Sequence, residues 1–168
     1  MAKSILSATC LAVALMALSL ALPADASGKK PKVKVVETEA AHDAIEYRKA
    51  LMQVMGMNFM PVGEMLQGHA PYNAAEAAKR AGRVAFIARM LDEAFPEVSR
   101  VGNTNAKPEI WTDRADFNKH VQALVDGTAA LAAQLQKNPA DAAGFKKAAG
   151  AAGQACKDCH DKYEYDEE

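Results

Sequence analysis

Hydrophobic residues recur at intervals of three and four over most of this chain, a pattern that predicts amphipathic α-helices. The composition is rich in Ala, Leu, Met, Lys and Glu, which favours the same structure. The first helix is predicted to run from about Asp43 to about Phe59, with Pro61 breaking it. An irregular crossover at 61–72 then leads to a second helix over about 73–94.

The helical pattern resumes after a loop predicted at 96–111. The third helix is predicted to start after Thr112, and the fourth at Asn138-Pro139, a cap residue followed by proline at the first helical position. The core positions predicted on these two helices are Phe117, Val121, Leu124, Thr128, Leu131, Phe145, Ala149 and Ala152. Four amphipathic helices with mostly short connections predict an all-α fold, an antiparallel four-helix bundle.

The N-terminal segment has the features of a targeting sequence. Lys3 precedes an uncharged apolar run at 5–22, and Ala24-Asp25-Ala26 offers a small-x-small cleavage site, as in secretory signal peptides. A retained membrane anchor is the alternative, although the run is marginal for a bilayer span. The predicted segments are a signal peptide over 1–26, a basic flexible leader over 27–37 and a helical domain over 38–168.

Charge and hydropathy restrict the possible partners. The 168 residues carry a formal net charge of −1, so the chain has no overall basic field, and we expect no nucleic-acid partner. No other apolar run is long enough to span a bilayer, so we expect no membrane span in the mature chain. The signal peptide predicts export, to the periplasm if the source is a Gram-negative bacterium.

The two cysteines of the mature chain are only three residues apart. Residues 156–160 read Cys-Lys-Asp-Cys-His, the C-x-x-C-H pattern to which haem c is attached. On a helix, Cys156, Cys159 and His160 fall at i, i+3 and i+4 and share one face. Two thiols on that face can add to the two vinyl groups of one porphyrin while the imidazole reaches the iron. The pattern therefore predicts one covalent haem c, with His160 as an iron ligand.

Three other interpretations of the cysteine pair are open. A thioredoxin-like redox pair needs a strand–helix context, which an all-helical chain lacks. A zinc site needs four ligands, and His42, His69 and His120 show no ligand-like spacing to the motif. The third is a strained local disulfide, which exported proteins rarely build from so close a pair.

Several segments, in this order, resemble one family. They are Tyr47-Arg48-Lys49-Ala50-Leu51-Met52 with Gly56 after it, Pro71-Tyr72, Pro108-Glu109-Ile110-Trp111, and a C-x-x-C-H motif on the last helix. This arrangement resembles the class II cytochromes c, which include cytochrome c′ and its low-spin relatives, over essentially the whole mature chain. Among these it looks most like the low-spin, methionine-ligated cytochrome c-556 type. The resemblance implies a four-helix bundle carrying one haem c, and it permits a homodimer through the first two helices.

The resemblance also bears on the second axial position of the iron. Low-spin members have a ligating methionine where this chain has Met52, and gas-binding members usually have a bulky apolar residue there. A thioether is a suitable ligand for haem iron, but methionine on an apolar helix face is also common core filler. Met55, one turn further along the helix, is a weaker candidate.

Three further residues are expected near the haem or at the end of its helix. Arg48 is similarly placed in the family and is expected to pair with a haem propionate, the alternative being a solvated surface arginine. Tyr163 continues the helix face of the motif and is expected beside the haem edge. Glu164 is a departure, because the family usually has a basic residue after this aromatic. The acidic C-terminal end makes a basic redox partner more plausible.

Two main functions follow from these expectations. With His160 and Met52 both on the iron, the protein is an electron carrier without catalysis of its own. If Met52 only packs above the iron, the haem is five-coordinate and binds nitric oxide or carbon monoxide, as cytochrome c′ does. A haem subunit of a larger oxidoreductase is a third possibility.

Overall fold

The computed structural model describes residues 36–166. Its helices are α1 (Glu39–Gln67), α2 (Ala74–Ala88), α3 (Glu109–Thr112), α4 (Arg114–Lys137) and α5 (Ala142–Tyr163), with a 3₁₀ turn at Glu97–Arg100. Helices α1, α2, α4 and α5 pack on one another as a four-helix bundle, which confirms the predicted all-α fold. The predicted signal peptide at 1–26 and nearly all of the leader at 27–37 lie outside the described residues. No helix in the described range is long and apolar enough to cross a membrane.

The predicted bounds of the first helix are wrong at both ends. The Thr38 side chain accepts a hydrogen bond from the Ala41 amide and caps α1, which begins at Glu39, four residues before the predicted start. Pro61 lies inside α1 and does not break it, although it cannot donate to the Met57 carbonyl. The Arg80 guanidinium, from α2, donates to that carbonyl at 3.2 Å. A neighbouring helix thus satisfies the acceptor that proline leaves unpaired.

The predicted crossover and second helix are both longer than observed. Helix α1 ends at Gly68, whose φ of +82° is readily adopted only by glycine, and Asn73 caps α2. After Ala88 the chain continues in tight turns instead of the predicted helix, yet Leu91 and Phe95 are still buried. The apolar pattern persisted beyond the helix because the turns also face the core.

The starts of the last two helices are also shifted. Asp113, one residue after the predicted Thr112, caps α4. Asn138 belongs to the end of α4, because its amide donates to the Gln134 carbonyl. The Asp141 side chain caps α5 by accepting from the Gly144 amide at 2.9 Å. The prediction that the fourth helix opens at Asn138-Pro139 is therefore wrong by one turn.

The core consists of two clusters at opposite ends of the bundle. The alanine-rich cluster contains Val62, Met65, Ala77, Ala81, Ala85, Leu131, Ala132, Leu135, Phe145, Ala149 and Ala152. The site-end cluster contains Met55, Val84, Ile87, Ala88, Leu91, Ala94, Phe95, Ile110, Phe117, Val121, Leu124 and Tyr163. All eight core positions predicted on the last two long helices are buried.

Candidate functional site

The cysteine motif occupies the last turns of α5 and faces the site-end cluster. Cys156, Cys159 and His160 line one small cavity of about 30 Å³, as their i, i+3 and i+4 spacing predicts. Cys159 and His160 also line a larger cavity of about 390 Å³. The two cavities share lining residues, and together we call them the site cavity.

The site cavity brings together the six residues predicted for the site. Met52 lines both of its parts, while Arg48 and Tyr163 line the larger part. The remaining lining is largely apolar and includes Phe95 and Phe117, whose rings pack edge-on with centroids 4.8 Å apart. Residues from α1, α4 and α5 and from the loop before α3 thus converge on one space.

Both thiols of the motif are partly buried and are not joined in a disulfide. Burial raises the pKa of Cys156, and it raises the pKa of Cys159 to about 11, with the neighbouring Cys156 adding to the effect. Both groups are therefore neutral thiols near pH 7. Within residues 36–166, no group of three or more His, Cys, Asp or Glu side chains is arranged so that it could hold a metal ion.

Arg48 is a buried cation and not the solvated arginine of the alternative reading. Its side chain is 5% exposed, and burial lowers its pKa to about 10. The guanidinium donates to the Ser99 hydroxyl at 2.9 Å and to the Thr104 hydroxyl at 2.8 Å. It also lies over the rings of Phe95 and Trp111. Within the described residues it forms no ion pair with a carboxylate.

His160 has an acidic neighbour one turn further along α5. Its Nδ1 lies 2.9 Å from Oε2 of Glu164. The hydrogen bond to Glu164 raises the pKa of His160, and the same contact lowers the pKa of Glu164. Because Nδ1 faces the carboxylate, Nε2 is the ring nitrogen that is left for a metal.

Tyr163 is fixed by a second polar group at the edge of the cavity. Its hydroxyl donates to Oδ2 of Asp116 at 2.5 Å, and the Lys162 ammonium binds the same oxygen. These two hydrogen bonds, that from Lys162 first, lower the pKa of Asp116 to about 2. Burial, followed by the bond to Asp116, raises the pKa of Tyr163. His120 is half-buried and packs edge-on against this tyrosine.

Several residues of the site were not predicted from the sequence. Ser99, in the 3₁₀ turn, and Thr104, in the loop after it, bind Arg48, and no local sequence pattern marks them. Glu164 was noted only as a departure from the family, although its i+4 spacing from His160 on one helix predicts contact. Trp111, named above only for the family resemblance, packs beside Phe95 and donates to the Pro96 carbonyl at 3.2 Å.

These residues fit a covalently attached haem. The cavity has apolar walls for a porphyrin, two neutral thiols on one helix face, and an imidazole with one nitrogen available. Arg48 supplies a buried positive charge that an anionic propionate can neutralise, and a buried charge without an anion is otherwise unfavourable. The donor set is therefore that of a haem c protein.

Comparisons with known proteins agree with this chemistry. A family model described as cytochrome C′ matches residues 43–164. Cytochrome c′ of Rubrivivax gelatinosus is 37% identical over 124 residues, covering 72% of this chain and 93% of its own. The solved structure of cytochrome c prime from Shewanella frigidimarina has 39% identity and a TM-score of 0.72, covering 77% of this chain and 99% of its own.

A third relative was solved with a gas bound. The structure is a nitric oxide complex of a leucine-to-alanine variant of cytochrome c prime from Alcaligenes xylosoxidans. It has 30% identity and a TM-score of 0.69, and covers 78% of this chain and 100% of its own. These similarities favour the second of the two functions considered above over the methionine-ligated type.

Proposed function

The chain belongs to the cytochrome c′ family of class II c-type cytochromes, which carry one covalent haem c, and from this premise we propose that it is a five-coordinate haem protein that binds nitric oxide or carbon monoxide. The carrying observation is the similarity to cytochrome c′, which includes a relative solved as a nitric oxide complex. In this chain Met52 and His160 line the same cavity at the cysteine motif. Haem c supplies the iron at which gas binding and one-electron exchange take place.

Each residue of the site has a definite part in this proposal. Cys156 and Cys159 hold the haem covalently, and His160 binds its iron through Nε2. Arg48 neutralises a propionate, which its burial without a carboxylate partner supports. Tyr163 packs at the haem edge, where Asp116 fixes its hydroxyl.

Met52 sets the access of a gas to the site. In the proposed protein its side chain packs in the cavity that His160 also lines, and it would exclude larger molecules without binding iron. This role needs bulk and an apolar surface, and both are properties of methionine in cores. No side chain has to act as an acid, base or nucleophile, so we propose a binding protein and not an enzyme.

Leucine and alanine at position 52 separate the possible roles of that side chain. Leucine keeps the bulk and removes the sulfur, so Met52→Leu is expected to retain the wild-type spectrum. Alanine removes the bulk, so Met52→Ala is expected to bind carbon monoxide at least about tenfold more tightly, equivalent to about 1.4 kcal/mol. Met55→Leu is the matched control on the same helix. A low-spin spectrum that is lost in Met52→Leu contradicts the proposal.

Electron transfer with His160 and Met52 as axial ligands is the second candidate. The observation that favours it is the same placement of Met52 in the cavity with the histidine, because a thioether there is a suitable sixth ligand. In that case we propose a redox protein as partner. The acidic Asp158, Asp161 and Glu164 near the motif favour a basic partner surface.

We also propose that the protein is exported to the periplasm, as its N-terminal segment predicts.

We further propose that the protein forms a homodimer through α1 and α2. Hydrophobic side chains are unusually exposed on these two helices: Met57 is 62%, Met60 68% and Phe86 67% exposed. Exposed apolar groups of this kind favour a protein interface. Light scattering of the holoprotein and of Phe86→Glu tests this, since a dimer should become a monomer in the variant.

A further inference from the structure

Glu164 contacts His160, the proposed iron ligand, and no role given to Glu164 so far explains this contact. Its Oε2 is 2.9 Å from Nδ1 of His160, and both residues line the larger part of the site cavity. The contact joins residues four apart on one helix, the spacing at which side chains meet. Nδ1 is the ring nitrogen that does not bind iron in the proposed protein.

The backbone of Glu164 is held where this contact needs it. Glu164 is the C-cap of α5, and its amide donates to the His160 carbonyl at 3.0 Å. The residues on either side pair with the loop before α3. The Lys107 amide donates to the Tyr163 carbonyl and the Tyr165 amide to the Asn105 carbonyl, each at 2.8 Å. The carboxylate therefore extends from a segment that is hydrogen-bonded on both sides.

The nearby acidic side chains on the same helix have other partners. Asp161 binds the Lys157 ammonium, and Asp158 accepts from the Gln154 amide at 2.6 Å. Glu164 is the carboxylate that reaches the imidazole within the described residues. A carboxylate at the second nitrogen of a metal-binding histidine orients the ring and makes it a stronger electron donor.

We propose that Glu164 is a positioning residue that accepts the Nδ1 proton of His160, fixes the imidazole ring and strengthens its bond to iron. The proposal rests on the proposed function, because it requires that His160 bind the haem iron. A stronger histidine donor stabilises the ferric more than the ferrous state. Glu164 thus lowers the midpoint potential of the protein.

The test measures the midpoint potential and the iron–histidine stretching frequency of the ferrous holoprotein. Glu164→Gln keeps the shape of the side chain and removes its charge. We expect a roughly tenfold rise in the ratio of ferrous to ferric protein at a fixed potential, which for one electron is about 59 mV. We also expect a lower iron–histidine frequency in the resonance Raman spectrum, because the bond weakens.

Asp161→Asn is the matched control. It removes one negative charge next to His160 on the same helix but does not break the contact with Nδ1. It should shift the potential less than Glu164→Gln does and leave the iron–histidine frequency unchanged. Equal effects of the two variants, or an unchanged frequency in Glu164→Gln, overturn the proposal.

The same data separate this proposal from the proposed function. If His160→Ala retains the wild-type spectrum, or if no haem is covalently attached, the proposed function fails and the role of Glu164 falls with it. Suppose instead that the haem is attached and that His160→Ala changes the spectrum. If the iron–histidine frequency is then the same in Glu164→Gln and in wild type, only the role of Glu164 fails.

Discussion

The two ends of the bundle are built from different side chains. In the alanine-rich cluster, small residues of α2 and α5 let the helices approach closely around Phe145 and Leu131. In the site-end cluster, aromatic and sulfur-containing side chains surround a cavity of about 390 Å³. The four long helices contribute side chains to both clusters. The alanine-rich cluster can therefore hold these helices at the spacing that the site cavity needs. Both clusters therefore contribute to stability, whereas the site cavity lies only in the site-end cluster.

The largest expected effect compares one phenylalanine from each end. Phe145→Ala and Phe117→Ala each remove a fully buried ring, so each is expected to lower the free energy of unfolding by about 3–5 kcal/mol. Only Phe117 lines the site cavity. We therefore expect a changed visible spectrum in Phe117→Ala and a wild-type spectrum in Phe145→Ala, with urea unfolding as the measure of stability.

That comparison fails if the spectrum responds to both changes. A spectral change in Phe145→Ala equal to that in Phe117→Ala would mean that the two clusters do not act separately.

The next effect concerns the buried cation at the site end. Arg48→Met leaves the Ser99 and Thr104 hydroxyls without their charged donor, so we expect the protein to lose about 2–3 kcal/mol of stability. Arg100→Met is the control, because Arg100 is exposed and pairs with the exposed Glu97, and an exposed ion pair contributes little to stability. Urea unfolding of the two variants measures the difference. An equal, small loss in both would show that the Arg48 network is not stabilising.

Local patterns were enough to predict the burial of the α5 residues in the alanine-rich cluster and the common face of the cysteine motif. The spacing of Phe145, Ala149 and Ala152 on α5 predicted their burial, and the C-x-x-C-H motif fixed which residues face the cavity. These features depend only on helical periodicity.

What the sequence could not predict depends on contacts between distant segments. Pro61 continues α1 because Arg80, from another helix, binds the Met57 carbonyl. The partners of Arg48, Ser99 and Thr104, are 51 and 56 residues further along the chain, in a 3₁₀ turn and the loop after it. The motif does not determine whether Met52 binds iron, because Met52 belongs to another helix, α1. The fold was therefore easier to predict than the state of its site.

The smallest expected effect is a pH dependence at the site end. The pKa of Asp116 in the folded protein is about 2, below the ordinary 3.8, because Lys162 and Tyr163 stabilise the ionised form. Its contribution to stability is therefore present above about pH 3.8 and is lost as the pH falls towards 2. The difference in unfolding free energy between wild type and Asp116→Asn should shrink over that interval.

Asp126→Asn is the control for this dependence. Asp126 is on the same helix, and its carboxylate accepts a hydrogen bond from the exposed Gln122 amide at 2.9 Å. Acid titrations of unfolding by circular dichroism should show a smaller pH-dependent difference for this variant. An equal pH dependence in the two variants would contradict the role given to Lys162 and Tyr163.

The most direct test of the account is the visible absorption spectrum of the holoprotein, oxidised and reduced, with and without carbon monoxide. We expect a high-spin spectrum that shifts when carbon monoxide is added to the reduced protein, because Met52 packs in the cavity without binding iron. A low-spin spectrum with a methionine–iron charge-transfer band, unchanged by carbon monoxide and lost in Met52→Ala, would contradict the account and establish an electron carrier.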